Sequence, residues 1–290
     1  MTVLLLVLTV LFSLQSLFCK LYSDHTSLRD HAVIPVVFAV WYGLFASLAT
    51  LCLNAFRFAP SLQTVLYGLV NGVMLFLYNF SLIRAGEQGS YAFTQISALF
   101  GGVIVPTFAA LIWSERLTTI QWIGTAITLV SFLVINADSL SLKNAKRSFF
   151  LWCLCLFTAN GLYSVLMTAQ QRAHDGAQRS EMIIITFAFS AVVAFGYLLV
   201  MRGRRTFQCF RVGLRGGVFA TMSCIIATAA ANVYVYLLSR MNLSVMATVS
   251  NGGTLMLSIL YSFLLFREKP APLRLGGMAL SLLGMVLLSL

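Results

Sequence analysis

The run from Tyr91 to Trp113 contains no charged residue. It matches the roughly 20 apolar residues that a helix needs to cross a bilayer. Inside hydrocarbon every backbone N–H and C=O has to be satisfied by the protein itself, so such a run folds as a helix or as part of a closed barrel. A polar break at Ser114-Glu115-Arg116 ends it, and a second apolar run continues to Ile135. The same pattern returns near the C-terminus. Leu243 to Phe266 is apolar, Arg267-Glu268-Lys269-Pro270 is the break, and Leu273 to Leu290 is apolar again. Placing Glu115 on Glu268 superposes Gly124 on Gly277, and each first run carries a glycine pair, Gly101-Gly102 and Gly252-Gly253. A hairpin written once in each half is the mark of a duplicated membrane domain.

Charge distribution supports a membrane setting throughout. Only 9% of the 290 residues are charged, against 60% hydrophobic; a water-soluble domain carries about 25% charged residues. The charges collect between apolar runs, and this placement explains the net charge of +11 without a nucleic-acid partner. The six cysteines have no metal-ligand spacing and fall mostly within apolar runs, where they act as small buried residues. Neither a metal nor a cofactor is expected. The first run lacks a basic leader and a small-x-small cleavage site, so it is read as a retained helix.

The pattern gives ten helices, at about 2–22, 32–53, 62–83, 91–113, 118–136, 148–170, 181–201, 214–238, 243–266 and 271–290. The expected fold is an all-α membrane protein of ten transmembrane helices in two units, 1–137 and 148–290, joined by a basic linker at 138–147. An odd number of spans per unit makes the two halves enter the membrane in opposite senses, as inverted five-helix repeats with a site between them. The links after spans 2, 4, 6 and 8 hold Arg57, Arg116, Arg172, Arg179 and Arg240, and the other 14 of the 19 Lys and Arg lie on the opposite side. By the positive-inside rule both termini lie outside. Spans 2, 5, 7 and 10 are apolar at their middles and are expected to face lipid.

The Glu-Arg-Leu-Thr hairpin at Glu115, with a glycine nine residues past the Glu and a looser Arg-Glu-Lys-Pro copy in the second half, resembles the EamA-type members of the drug/metabolite transporter superfamily. The resemblance covers essentially the whole chain. It implies a ten-helix secondary transporter in a bacterial-type inner membrane, with a central cavity lined by spans 1, 3, 4, 6, 8 and 9. Many such relatives keep both termini in the cytoplasm, opposite to the charge count.

Those six spans are also the ones with polar stripes. Intramembrane polar groups are costly and turn toward the bundle interior. The substrate-binding candidates are Asn71, Tyr78, Asn79, Gln95, Asn160, Tyr163, Asn232, Thr248 and Asn251. Gly101, Gly102, Pro106, Gly252 and Gly253 read as packing or gating positions, because small residues let helices approach and proline interrupts the backbone ladder. Glu115, Arg116, Glu268 and Lys269 form the hairpin motif, where an acid beside a helix start favours the positive end of its dipole. All eight acids and all three histidines lie in links or at span ends, so a mid-membrane carboxylate mechanism is excluded.

The expected function is a secondary transporter, an exporter or exchanger, moving an amino acid or similar neutral or zwitterionic solute by alternating access. A nucleotide-sugar-type exchanger is the narrower alternative; Lys20 and Arg84 at span ends are its available cations. A multi-span enzyme acting on lipid is the alternative of another class. It would draw on the His25, His31, Asp24 and Asp30 cluster, which has no recognisable ligand spacing. The expected partners are a small-molecule substrate and the bilayer, with a homodimer as an option.

Overall fold

The computed structural model describes residues 2–28, 30, 32–88, 91–114, 117–137, 147–266 and 272–289. Among these the chain forms ten α-helices and no strand: α1 Thr2–His25, α2 Ile34–Leu53, α3 Leu62–Gln88, α4 Tyr91–Ile112, α5 Thr119–Asn136, α6 Arg147–Ala173, α7 Arg179–Arg202, α8 Leu214–Leu238, α9 Leu243–Phe266 and α10 Pro272–Ser289. A 3-10 helix, Gly203–Phe210, leads from α7 toward α8. Each apolar run of the sequence is therefore one helix. Five of them, α2, α3, α6, α7 and α8, are long and apolar enough to cross a membrane. The other five carry shorter apolar stretches, such as Ser97–Ile112 in α4 and Leu275–Leu288 in α10. The hairpin residues Glu115, Arg116, Glu268 and Lys269, and most of the 138–147 linker, lie outside the described residues.

Local chemistry sets the helix ends. Thr118 caps α5 reciprocally: its hydroxyl accepts from the Gln121 backbone N–H at 3.2 Å, and the Gln121 side chain accepts from the Thr118 N–H at 3.1 Å. Gly203, at φ 51°, closes α7 in a conformation few other residues adopt.

Helix directions follow from paired contacts. Along α5, Gly124 meets Leu288, Thr128 meets Gly284 and Ile135 meets Gly277, so α10 runs antiparallel to it. α4 and α9 are antiparallel too, through Gly102 with Asn251 and Thr107 with Ser244. α1 and α8 pair antiparallel through Phe12–Tyr234 and Phe18–Phe219, as do α3 and α6 through Thr64–Gln170 and Phe80–Trp152. Other contacts run parallel: α1 with α9 through Thr9–Gly253 and Ser13–Tyr261, α4 with α6 through Gly101–Phe157 and Val105–Gly161, and α3 with α7 through Gly68–Ile185 and Phe80–Tyr197.

The structure corrects one expectation. α2 faces outward along one strip only: Trp41, Leu44 and Leu48 are exposed, while 12 of its 20 residues are buried and it packs against α7 and α8. α7 likewise buries Met182 through Phe187. Lipid tails and protein interiors are equally apolar, so an apolar helix carries no label for either. α5 and α10 do present large apolar residues outward, including Ile123, Val130, Leu282 and Val286.

Two neighbouring glycines of α10 test the α5–α10 contact. A Cβ on Gly277 would sit 2.9 Å from the Ile135 backbone nitrogen, whereas one on Gly276 meets nothing within 4 Å. Gly277→Ala is expected to lower the melting temperature in detergent, with overpacking costing about 1–3 kcal/mol. Gly276→Ala is expected to raise it slightly, since alanine is favoured over glycine in a helix by about 1 kcal/mol. Equal responses at the two positions would contradict the contact.

Candidate functional site

Three helices meet near their middles at Gly102. Its bare Cα admits two amides: a Cβ there would lie 2.7 Å from Asn160 Nδ2 of α6 and 3.0 Å from Asn251 Nδ2 of α9. Gly101, beside it, lies so close to the Phe157 backbone that no side chain fits. Pro106 explains the role of Asn251. A proline has no N–H and leaves the carbonyl four residues earlier without its helical partner. That carbonyl is Gly102 C=O, and the Asn251 amide donates to it at 3.4 Å. The same amide group donates to Ala247 C=O at 2.7 Å, and Asn160 Nδ2 donates to Ala98 C=O at 2.7 Å. One turn away Thr107 Oγ1 and Ser244 Oγ lie 2.9 Å apart, a second polar tie between α4 and α9.

A group of phenols continues from this crossing. The Tyr42 phenol of α2 neighbours the Gln15 side chain of α1, Tyr78 on α3 and Tyr163 on α6. Tyr163 in turn neighbours Tyr234 on α8, which lies beside Ser164. Five helices thus send uncharged polar groups into one region, and Tyr42 and Tyr234 are buried there.

Asn71 of α3 is the one buried side-chain amide among the described residues with neither end satisfied. It is 0% exposed, and neither its amide nitrogen nor its oxygen has a hydrogen-bond partner. The antiparallel register of α3 and α6, fixed by Thr64–Gln170 and Phe80–Trp152, brings Asn71 level with Tyr163. An amide buried without partners costs several kcal/mol relative to water, so this position suits a ligand's polar group.

The remaining sequence candidates separate by what they bond. Asn79 donates to Leu75 C=O at 2.9 Å, and Thr248 Oγ1 donates to Ser244 C=O at 2.9 Å, each within its own helix. Asn232 donates to Thr228 C=O at 2.9 Å and reaches Thr50 Oγ1 of α2 at 3.5 Å. Gly252 packs α9 against Ser281 of α10, and Gly253 packs it against Thr9 of α1. The Gln95 side chain lies outside the described residues. Tyr42, Gln15 and Tyr234 were not singled out from the sequence. A lone tyrosine in an apolar run such as α2 makes no stripe; its length of polar tip on an aromatic body was the available signal.

A second polar cluster, among the described residues, closes one end of α3, α6 and α7. Gln170 Nε2 donates to Thr64 Oγ1 at 3.0 Å, Ser61 Oγ lies 3.1 Å from His174 Nε2, and the Ser61 N–H donates to Gln178 Oε1 at 2.9 Å. At that end Arg179 and Arg240 stack on Tyr236, at 5.3 and 4.9 Å from the ring centre. At the opposite end Asp30 pairs with Arg202 and also accepts from the Ala32 N–H at 3.0 Å. His25 Nδ1 lies 3.0 Å from Leu21 C=O. His31 lies outside the described residues.

No family model matches the chain, and no curated protein matches it. Solved structures do share its fold. One, described as "Crystal structure of protein", superposes with a TM-score of 0.76 at 15% identity, over 99% of this chain and 96% of that one. At that identity the likeness concerns the fold alone.

Proposed function

We propose that this chain is a secondary transporter of the EamA type, moving a small neutral or zwitterionic solute across a membrane by alternating access between two inverted five-helix repeats. The unpaired amide of Asn71 carries the substrate reading, since it offers donors and acceptors to a solute and to nothing else around it. The inverted architecture draws support from the contact pattern. Exchanging α1–α5 with α6–α10 turns the α1–α8 pair into α6–α3 and the α1–α9 pair into α6–α4, with directions kept. The Gly124–Leu288 contact becomes Gly277–Ile135, and the same sequence separation joins Gly124 to Gly277 and Ile135 to Leu288. Each of α4 and α5 lies antiparallel to its own counterpart, as a two-fold axis in the membrane plane requires.

A polar centre of amides and phenols, without a charged side chain among those named, suits a solute whose own charges cancel. The nucleotide-sugar alternative is disfavoured because phosphates call for a cation, and the amides and phenols of this centre supply none. The lipid-enzyme alternative is disfavoured because Asp30 is already engaged with Arg202 and a backbone N–H.

A panel of metabolites in a thermal-shift assay tests the reading, since a ligand of the folded state raises its apparent stability by mass action. An amino acid or similar solute is expected to raise the melting temperature of the wild type. Asn71→Leu is expected to keep the unliganded melting temperature and lose that shift. A variant that binds as well as wild type places the site elsewhere, and one that melts early makes Asn71 a packing residue. For orientation, a reporter fused after Arg205 is expected to read cytoplasmic and one at the C-terminus external; the reverse pair would show that the charge count does not govern insertion.

A further inference from the structure

The link between α7 and α8 holds a feature that transport does not use. Beside it, where α8 begins against α2, lies an open hollow of about 510 Å³. Trp41 of α2 forms one wall; Leu214, Val218 and Met222 of α8 form the other, and Arg211 stands at the mouth. The three α8 residues recur every four positions, so they draw an apolar stripe along the helix axis. All are exposed, Leu214 by 87%. The floor is Gly217, where a Cβ would meet only Val212 Cγ2, at 3.8 Å.

The mouth is built and basic. The Ser27 hydroxyl donates to Arg211 C=O at 2.6 Å, and the Ser27 N–H donates to Val212 C=O at 3.2 Å. This pins the Arg211 backbone to the α1–α2 link. Arg211 and Arg215 follow one another with no acid between them, and Asp30 is taken by Arg202. The 3-10 helix adds Phe207, 73% exposed, next to these arginines. Aromatic and basic residues at one level, with an apolar stripe leading inward from them, are the makings of a membrane–water interface.

We propose that this groove binds one anionic phospholipid, with its phosphate on Arg211 and Arg215 and an acyl chain along Leu214, Val218 and Met222. Charge decides the headgroup. A zwitterionic lipid brings its own cation into a cluster that is already positive, whereas an anionic headgroup relieves it. The volume is of the size that holds part of a chain rather than a whole lipid. The proposal rests on the membrane setting of the chain and is independent of what it transports.

Native mass spectrometry of the purified protein, with phosphatidylglycerol and phosphatidylcholine of matched chains, tests it. The wild type is expected to retain phosphatidylglycerol at least about tenfold more tightly than phosphatidylcholine. Each arginine near an anionic surface contributes about fivefold in binding, so Arg211→Gln with Arg215→Gln is expected to weaken phosphatidylglycerol by about 25-fold and leave phosphatidylcholine unchanged. Gly217→Leu fills the floor without touching a charge and is expected to remove the same adduct while the lipid-free melting temperature stays constant. Equal retention of the two lipids overturns the proposal. So does an unaltered adduct in Gly217→Leu, which marks diffuse surface attraction, or full displacement by millimolar inorganic phosphate, which marks a free-anion site.

Discussion

Gly101→Leu is expected to eliminate folded protein, while Gly196→Leu, an identical change in another helix, leaves it intact. The difference lies in what each glycine faces. A Cβ on Gly101 runs into the backbone carbonyl of Phe157 on α6; one on Gly196 meets nothing within 4 Å. Overpacking that flexible side chains absorb costs about 1–3 kcal/mol. Backbone cannot step aside, so α4 and α6 have to separate along their length. Separation also opens the Val105–Gly161 contact one turn further on and pulls Asn160 from Ala98 C=O. Against a total stability of about 5–15 kcal/mol, losing the α4–α6 interface leaves little. Monodispersity in size-exclusion chromatography and melting temperature read the result. A well-folded Gly101→Leu protein would show that α4 and α6 do not touch in solution.

That glycine was visible in the sequence, as was every helix. The reason is that a helix satisfies its own backbone groups within one apolar run, so α8 and α9 begin and end where their apolar runs do. The polar stripes of α6 and α9 were visible for a related reason, because Asn160 and Asn251 stand out against apolar neighbours. What a polar residue bonds was not visible. Asn79 and Asn71 occupy the same helix two turns apart, yet one donates to its own Leu75 carbonyl and the other finds no partner. That difference depends on α6 lying alongside, a contact far away in sequence. Tyr42 was hidden more deeply. Its helix is apolar over most of its length, and only the tertiary arrangement shows which side of it packs against α7 and α8.

Asn251→Leu is expected to lower stability and, on the function proposed above, transport as well, and the loss of stability is expected to depend on Pro106. Leucine has the branching of asparagine, with bulkier methyl ends and no donor. Its introduction leaves Gly102 C=O buried, with its helical partner already removed by the proline. An unsatisfied buried acceptor costs about 1–3 kcal/mol, although polar contacts between membrane helices average only about 0.6 kcal/mol. Pro106→Ala supplies the missing N–H from within α4, so the Gly102 carbonyl no longer needs its neighbour. In the Pro106→Ala background, Asn251→Leu is therefore expected to cost less than in the wild type, with a coupling energy of about 0.5–1.5 kcal/mol, the net worth of one hydrogen bond. Denaturant or thermal melts of the four proteins give this number directly. Transport separates the two roles of the amide. If Asn251 serves only the carbonyl, the double variant regains activity along with stability. If it also contacts the solute, stability returns and transport remains at least about tenfold down, the 1.4 kcal/mol of a direct hydrogen bond. Additive losses across the cycle would break the link between the proline of one half and the asparagine of the other.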